Sequence, residues 1–177
     1  RLADRAQEAA SKVKEKVPSA LVDGVLNQDA AKMGDIVFVS VPYSGQGETL
    51  SVLRPHLSGK IVVSVVAPLA FEKGRASAIR VEEGSAAEQA QVLLPESRIV
   101  AAFHNVSAED LMVPDRDLGC DVIVCADDQE AKMAVIGLAD SIKGIRPLDG
   151  GPLVNARYVE DLTALLLNIN RIYKAHT

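Results

Sequence analysis

Short runs of apolar, mostly β-branched residues recur along the chain, with longer stretches of helical spacing between them. The runs occupy residues 36–41, 61–66, 99–103 and 120–126. Continuous apolar runs of this length are typical of strands that are buried on both faces, as in a parallel sheet covered by helices. The pattern therefore predicts an α/β fold with a mostly parallel sheet and right-handed crossovers.

Helical spacing accounts for much of the sequence outside these runs. Apolar residues share one stripe over residues 2–17, and Pro18 ends that stretch because proline cannot continue a helix. Ser85 and Glu88 match a capping box at the start of another helix. Further helical segments are predicted over residues 27–32, 48–57, 108–112 and 127–143.

Three other segments complete the predicted secondary structure. Residues 20–22 predict a short strand, and residues 145–149 predict a final one. Residues 67–81 have little periodicity, and a connection of this length in a compact α/β domain is usually a functional loop.

Proline or histidine follows three of the predicted strands. Pro42 comes after the first strand, Pro68 after the second and His104 after the third. Open α/β sheets bind ligands just beyond the carboxyl ends of their strands. We therefore expect these three residues to form one wall of a single ligand-binding crevice.

The C-terminal segment differs in character from the rest of the chain. Residues 152–174 predict one long helix that is apolar over more than one stripe. Such a helix is buried on several sides, either against a second subunit or only against its own sheet; we expect a homodimer. The predicted organisation is a nucleotide-binding domain at residues 1–150 and a C-terminal helical part at residues 151–177.

The composition of the chain limits the kinds of partner it is expected to bind and the cellular compartment in which we expect it. The net charge of −5 argues against nucleic-acid binding by bulk electrostatics, and no apolar run approaches the roughly 20 residues of a membrane span. Cys120 and Cys125 lie five positions apart on one predicted strand, so their side chains point to opposite faces and form neither a disulfide nor a metal pair. Without a signal peptide in the sequence, we expect a cytoplasmic protein with reduced thiols and no metal site.

Several glycine- and proline-containing stretches stand out, at residues 34–42, 59–64, 100–108 and 146–157. The last of them reads Arg-Pro-Leu-Asp-Gly-Gly-Pro-Leu-Val-Asn-Ala-Arg. These four stretches, in the order in which they occur along the chain, resemble those of the NADP oxidoreductases that use the deazaflavin coenzyme F-420. The resemblance implies a Rossmann-like, doubly wound fold and direct hydride transfer between the nicotinamide C4 and the deazaflavin C5, without a metal.

The resemblance also implies positions for NADP. Arg1 matches the residue that grips the 2′-phosphate, and arginine suits a bidentate phosphate contact. The residues expected to line the dinucleotide and to pack around the nicotinamide are Val41, Pro42, Tyr43, His104, Val106 and Ala108. We take His104 as the candidate catalytic residue, through a hydrogen bond to a cofactor; a lone histidine after a buried strand is otherwise a structural hydrogen-bonding group.

The expected deazaflavin cleft is formed by Pro68, Leu153, Arg157 and Thr163. Asp161 stands where the family has a serine, and we expect it to pair with Arg157. The loop at residues 67–81 carries Lys73, Arg75 and Arg80, so it is either a contact for the acidic tail of a deazaflavin or a solvated loop.

The family's glycine-rich turn, which binds the pyrophosphate at a helix N-terminus, has no counterpart in these residues. It is expected before Arg1, so we expect an N-terminally incomplete Rossmann sheet.

Two alternative functions stay open. One is an NADPH-dependent reductase of the same fold with another acceptor, such as a flavin, a quinone, a metal ion or an imine. The other is a non-catalytic dinucleotide-binding scaffold.

Overall fold

The structure, a computed structural model, describes residues 3–174. Its helices are α1 (Ala3–Lys16), α2 (Asn27–Met33), α3 (Gln46–Leu53), α4 (Ala86–Leu93), α5 (Ala108–Leu111), α6 (Gln129–Asp140) and α7 (Ala156–Tyr173). Its strands are β1 (Ile36–Val39), β2 (Ile61–Ser64), β3 (Leu69–Glu72), β4 (Arg75–Ala78), β5 (Arg98–Ala101), β6 (Cys120–Ala126) and β7 (Ile145–Asp149). Short 3-10 turns occupy Tyr43–Gly45, Arg54–His56 and Leu153–Asn155.

The central sheet has five strands in the order β1-β2-β5-β6-β7. Neighbouring strands are parallel except for β5 and β6, which are antiparallel. Such a sheet requires crossovers, and helices α3, α4 and α6 supply them. The predicted mostly parallel, Rossmann-like α/β fold is confirmed.

Side chains alternate between the two faces of the sheet and build a separate core on each. Val62 of β2 packs with α3, α4 and the start of α7, whereas Val63 packs with α6 on the other face. The cysteines follow the same rule: both are free, Cys125 lies in the first core and Cys120 borders the second. The prediction that their side chains point to opposite faces of the sheet is confirmed.

The segment at residues 67–81 is not the aperiodic loop that the sequence predicted. It forms an antiparallel hairpin of β3 and β4, in which Glu72 is opposite Arg75 across a two-residue turn. Lys73 and Gly74 in the turn have φ angles of 48° and 76°. Positive φ at both central positions defines a type I′ turn, which matches the twist of the flanking strands.

The short strand predicted at residues 20–22 is absent, and this prediction was wrong. The segment has no regular structure, and the Leu21 side chain is fully exposed. A strand needs a hydrogen-bonded neighbour. Residues 20–22 do not pair with the free side of β1, which is the edge strand of the described sheet next to β2.

The long C-terminal helix begins four residues later than the predicted residue 152, after the 3-10 turn at Leu153–Asn155, and ends at Tyr173. One side of α7 is buried through Ala156, Val159 and Ala164, and the other side carries exposed apolar residues that include Tyr158, Leu165 and Ile172. Within residues 3–174, none of the helices combines the length and the apolar character that a membrane crossing requires.

Candidate functional site

The carboxyl ends of three parallel strands lie side by side. Val39 of β1 is paired with Ser64 of β2, and Ser64 is paired with Ala101 of β5. The chain therefore leaves all three strands at the same edge of the sheet, where ligands bind in folds of this kind. Pro42 and His104 follow β1 and β5 at this edge. Pro68 follows β2 and starts the hairpin, where its carbonyl accepts a hydrogen bond from the Ile79 amide at 2.8 Å.

His104 is the most unusual side chain at this edge. It is only 8% exposed, and within the described residues neither ring nitrogen has a hydrogen-bond partner. Burial lowers the pKa of His104 from 6.5 to about 4, so the ring is neutral near pH 7. Buried polar groups are normally paired, so two unpaired nitrogens beneath the protein surface mark His104 as a functional candidate.

The backbone before His104 is strained. Phe103 has a φ of 65°, a conformation that a bulky side chain rarely adopts and that costs about 1–3 kcal/mol. The Phe103 ring packs against Phe38 of β1, with ring centroids 5.8 Å apart. The positive φ of Phe103 changes the direction of the chain after β5 and so determines where His104 is placed.

A cavity of about 310 Å³, here called the His104 cavity, lies between the loop after β5 and helix α7. It brings together four residues of the predicted site: His104, Val106, Ala108 and Thr163. The sequence did not indicate the rest of the α7 wall, which consists of Leu166, Leu167 and Asn170. The Thr163 hydroxyl is 3.4 Å from the His104 carbonyl and 3.1 Å from the Val159 carbonyl, so it links the two walls.

A second concave region, the Pro42 cavity, has a volume of about 570 Å³ and lies between the start of α2 and one side of α3. Val41 and Pro42 line it, together with Glu48, Thr49 and Val52. Tyr43 begins the turn that leads into α3, and its hydroxyl accepts a hydrogen bond from Gln89 Nε2 at 3.4 Å. Val41 and Pro42 therefore border a different cavity from the one that His104 borders.

Leu153 and Arg157 lie near the start of α7, away from both cavities. Leu153 is buried, and its amide donates to Asp127 Oδ1 at 2.9 Å. Arg157 Nη2 donates to both carboxylate oxygens of Glu88 at 3.1 Å. The expected partner of Arg157 was Asp161; the arginine is paired with Glu88 of α4, and Asp161 is exposed. Arg1 lies outside the described residues.

Glu160 is a functional candidate that the sequence reasoning missed. It is 2% exposed, and its carboxylate accepts hydrogen bonds from the amides of Ala86 and Ala87 at 2.7 and 3.1 Å. Burial raises the pKa of Glu160 to about 7, with smaller contributions from Asp161 and Glu88, and the two amide hydrogen bonds oppose this shift. A signal was present: Glu160 is the one charged residue on the buried stripe of α7 formed by Ala156, Val159 and Ala164.

Metal ligands are not clustered in the described part of the chain. Among residues 3–174 there is no group of three or more histidine, cysteine, aspartate or glutamate side chains that could hold a metal ion. The His104 cavity combines the neutral imidazole with several polar groups and four apolar side chains. The polar groups are the Ser107 and Thr163 hydroxyls, the Asn105 and Asn170 amides and the Glu109 carboxylate.

Known proteins resemble this chain over nearly its whole length. The F420-dependent NADP reductase of Methanocaldococcus jannaschii is 41% identical over an alignment of 178 residues that covers 97% of this chain and 80% of that protein. The chain belongs to the F420-dependent NADP reductase family. A relative with the same name from Methanothermobacter thermautotrophicus is 38% identical over 175 residues, covering 95% of this chain and 75% of that protein.

Two further comparisons concern the family and the fold respectively. The family model described as NADP oxidoreductase, coenzyme F420-dependent, matches residues 1–68. A crystal structure of a candidate F420-dependent NADP reductase from Arthrobacter sp. FB24 has a TM-score of 0.73 at 24% identity, covering 84% of this chain and 70% of the other. This structural likeness supports the Rossmann-like fold. The F420 in these names is the deazaflavin coenzyme F-420 that the sequence resemblance implied.

Proposed function

We propose that this protein is an oxidoreductase that transfers a hydride between NADP(H) and the deazaflavin coenzyme F-420. The observation that carries the proposal is His104, a buried and neutral histidine whose ring nitrogens are unpaired within the described residues and which borders a cavity at the ligand-binding edge of the sheet. Family membership supplies the identity of the two substrates.

The His104 cavity suits two stacked planar rings. Direct hydride transfer requires the reacting carbons to be held roughly 3–3.5 Å apart with water excluded, and it needs little acid–base assistance. Val106, Ala108, Leu166 and Leu167 supply an apolar lining. His104, neutral near pH 7, hydrogen-bonds a ring carbonyl or carboxamide and orients it, and the Thr163 hydroxyl holds α7 close to the His104 backbone.

The Pro42 cavity is the proposed location for the remainder of NADP. Val41, Pro42 and Tyr43 follow a parallel strand, and this is where dinucleotides lie in Rossmann-like folds. We assign the 2′-phosphate contact to Arg1 on the family resemblance. We assign Pro68, Leu153 and Arg157 to the deazaflavin cleft on the family resemblance alone, since they border neither cavity. The proposed cleft lies between the nucleotide-binding domain at residues 1–150 and the helical part at residues 151–177.

The proposed assembly is a homodimer formed through α7. Its outer side exposes large apolar side chains, among them Tyr158, Leu165 and Ile172, which are 69%, 55% and 71% exposed. A contiguous exposed apolar surface on a long helix favours contact with a second copy. The free Cys120 and Cys125 fit a reducing compartment, and we propose the cytoplasm.

The test is a reduction assay with purified protein, NADPH and oxidised deazaflavin. We expect the visible absorbance of the deazaflavin to bleach in proportion to the NADPH consumed, and NADH at the same concentration to be a much poorer donor. Reduction of a flavin, a quinone, a ferric chelate or an imine in place of the deazaflavin would replace this proposal with the related reductase. Binding of NADPH without reduction of any acceptor would indicate the non-catalytic scaffold.

A further inference from the structure

Glu160 is a buried carboxylate for which the proposed chemistry has no use. It lies in the first half of α7, on the side that faces the sheet, and only 2% of its surface is exposed. Burying a carboxylate is costly unless hydrogen bonds compensate for its lost hydration. Here they do, because Oε2 accepts from the Ala86 amide at 2.7 Å and Oε1 accepts from the Ala87 amide at 3.1 Å.

Those two amides belong to the first turn of α4. The first turn of a helix has amides without intrahelical partners, and the helix dipole favours a negative charge beside them. Ser85 Oγ accepts from the next amide, that of Glu88, at 3.0 Å, and the first intrahelical bond is donated by Gln89. Glu160 therefore completes the hydrogen bonding at the start of a helix that lies 73 residues or more away in sequence.

The start of α4 is also fixed to the region of the Pro42 cavity. Gln46, the buried first residue of α3, donates from Nε2 to the Ala86 carbonyl at 3.0 Å and to Gln89 Oε1 at 3.1 Å. Gln89 in turn donates to the Tyr43 hydroxyl. The atoms that Glu160 binds are therefore held relative to the turn after β1, where NADP is proposed to lie.

Through its hydrogen bonds to α4, Glu160 also helps to fix the position of α7 beside the His104 cavity. Thr163 is the next residue along the helix to form a side-chain hydrogen bond to another element, and its hydroxyl approaches the His104 carbonyl in the loop after β5. Leu166 and Leu167 follow on the cavity wall. Because a helix moves as a rigid body, a displacement of Glu160 relative to α4 is transmitted to these lining residues.

We propose that Glu160 is a positioning residue for hydride transfer. By tying α7 to the first turn of α4, it sets the width of the His104 cavity and the alignment of the deazaflavin against the nicotinamide. This inference rests on the proposed function, because it concerns the same cavity. It predicts that removing the carboxylate impairs the deazaflavin side of the site and leaves the NADPH side unchanged.

The test compares E160Q with E130Q in the intact protein. Glutamine keeps the length of the side chain and loses one acceptor, so one of the two amides faces an NH₂ group. Glu130 is the matched control: its side chain is 88% exposed, it lies on α6, and it borders neither cavity. The readouts are amide hydrogen exchange at Ala86 and Ala87, the Kd of oxidised deazaflavin by fluorescence titration, and the kcat and KM for each substrate.

In E160Q we expect exchange at Ala86 or Ala87 to accelerate at least ~10-fold, and the Kd and KM for deazaflavin to rise ~10-fold, while the KM for NADPH does not change. E130Q should match the wild type. E160D, which keeps a carboxyl group on a shorter stem, should recover part of the deazaflavin affinity. If E160Q does not fold, E160D decides: deazaflavin Kd and kcat equal to those of the wild type would overturn the proposal.

Two other results would also overturn it. Unchanged exchange at both amides would mean that the contact is absent. Faster exchange with unchanged deazaflavin Kd and KM would make Glu160 a purely structural cap. Failure of the proposed function is distinguishable, because a wild-type protein that binds deazaflavin without reducing it still allows the exchange and Kd comparisons.

Discussion

At the scale of single residues, the site depends on polar groups that are buried in unusual states. His104 is buried without a hydrogen-bond partner in the described structure, and Glu160 is buried with two amide partners. Burial shifts both groups towards their neutral forms: the pKa of His104 falls to about 4, and the pKa of Glu160 rises to about 7. A neutral histidine at pH 7 orients a ligand without adding a positive charge to the hydride-transfer site.

Replacing His104 should separate catalysis from folding. We expect H104A to lower kcat/KM for deazaflavin reduction by about 10-fold or more, because an oriented hydrogen bond to a ring is lost. The protein should still fold, with a lower midpoint of thermal unfolding because truncating a buried side chain leaves a cavity, but no hydrogen bond of the ring nitrogens within the described residues is lost. The control is H56A, whose histidine borders neither cavity. Loss of the folded state with an unchanged rate per folded molecule would make His104 structural.

The two buried groups should also have opposite effects on the pH dependence of stability. The unfolded chain binds a proton at His104 between pH 6.5 and about 4 and the folded chain does not, so stability is lost as the pH falls through this window. The folded chain keeps a proton on Glu160 between pH 4.5 and about 7 that the unfolded chain releases, so stability is lost as the pH rises. Each effect amounts to up to about 3 kcal/mol.

Between about pH 4.5 and 6.5 these contributions oppose each other. E160Q removes the contribution that falls with pH, so its free energy of unfolding should increase with pH relative to that of the wild type. H104A removes the contribution that rises with pH, so its free energy of unfolding should decrease with pH relative to that of the wild type. Urea unfolding of the three proteins across this range measures the difference. Identical pH slopes in all three would contradict the assigned protonation states.

At the scale of elements, the hairpin and α7 form a unit that the sequence did not predict. Asn168 of α7 accepts from the Ala76 amide at 3.0 Å and donates to the Ala76 carbonyl at 2.8 Å, as a neighbouring strand would. Arg171 donates to the carbonyls of Lys73 and Gly74 in the turn. These contacts hold the C-terminal half of α7 against the hairpin.

Removing Asn168 should loosen this unit. We expect N168A to lower the free energy of unfolding by about 1–3 kcal/mol, because the Ala76 amide and carbonyl lose their side-chain partner. Chemical denaturation measures the change. S77A, an exposed substitution on the same strand, should have little effect. Equal stability of the two variants would mean that the hairpin does not depend on α7.

The outer side of α7 is the surface on which the proposed dimer depends. We expect L165E to shift the protein towards the monomer in sedimentation experiments, because a charge would be placed at an apolar contact. Leu165 is 55% exposed in the single chain. The control is V92E, since Val92 on α4 is 65% exposed and lies on a different surface. A wild-type protein that sediments as a monomer would remove the dimer from the proposal.

At the scale of the whole molecule, the sequence was sufficient for the fold and partly sufficient for the site. The apolar runs predict the parallel strands because burial on both faces leaves a continuous pattern, and β1, β2, β5 and β6 lie where expected. The residues around His104 were predicted from a strand end and a family resemblance, and four of them share one cavity.

What the sequence did not predict depends on contacts between distant residues. The Lys73-Gly74 turn is a weak local signal, and the hairpin is held by Asn168, which lies 92 residues from Ala76. Glu160 binds amides in α4, and Arg157 binds Glu88 instead of its neighbour Asp161. No periodicity encodes such partners. The expected single crevice is also divided, since Val41 and Pro42 border one cavity and His104 another.

Transfer of an isotopic label tests the central claim most directly. NADPH that carries deuterium at C4 is mixed with oxidised deazaflavin and the protein in ordinary water, and the reduced deazaflavin is examined by mass spectrometry and NMR. Direct transfer in a dry cavity predicts that the transferred deuterium appears at C5 of the deazaflavin, with none released to the solvent. Deuterium in the solvent and protium at C5, or no reduction of the deazaflavin at all, would contradict the account.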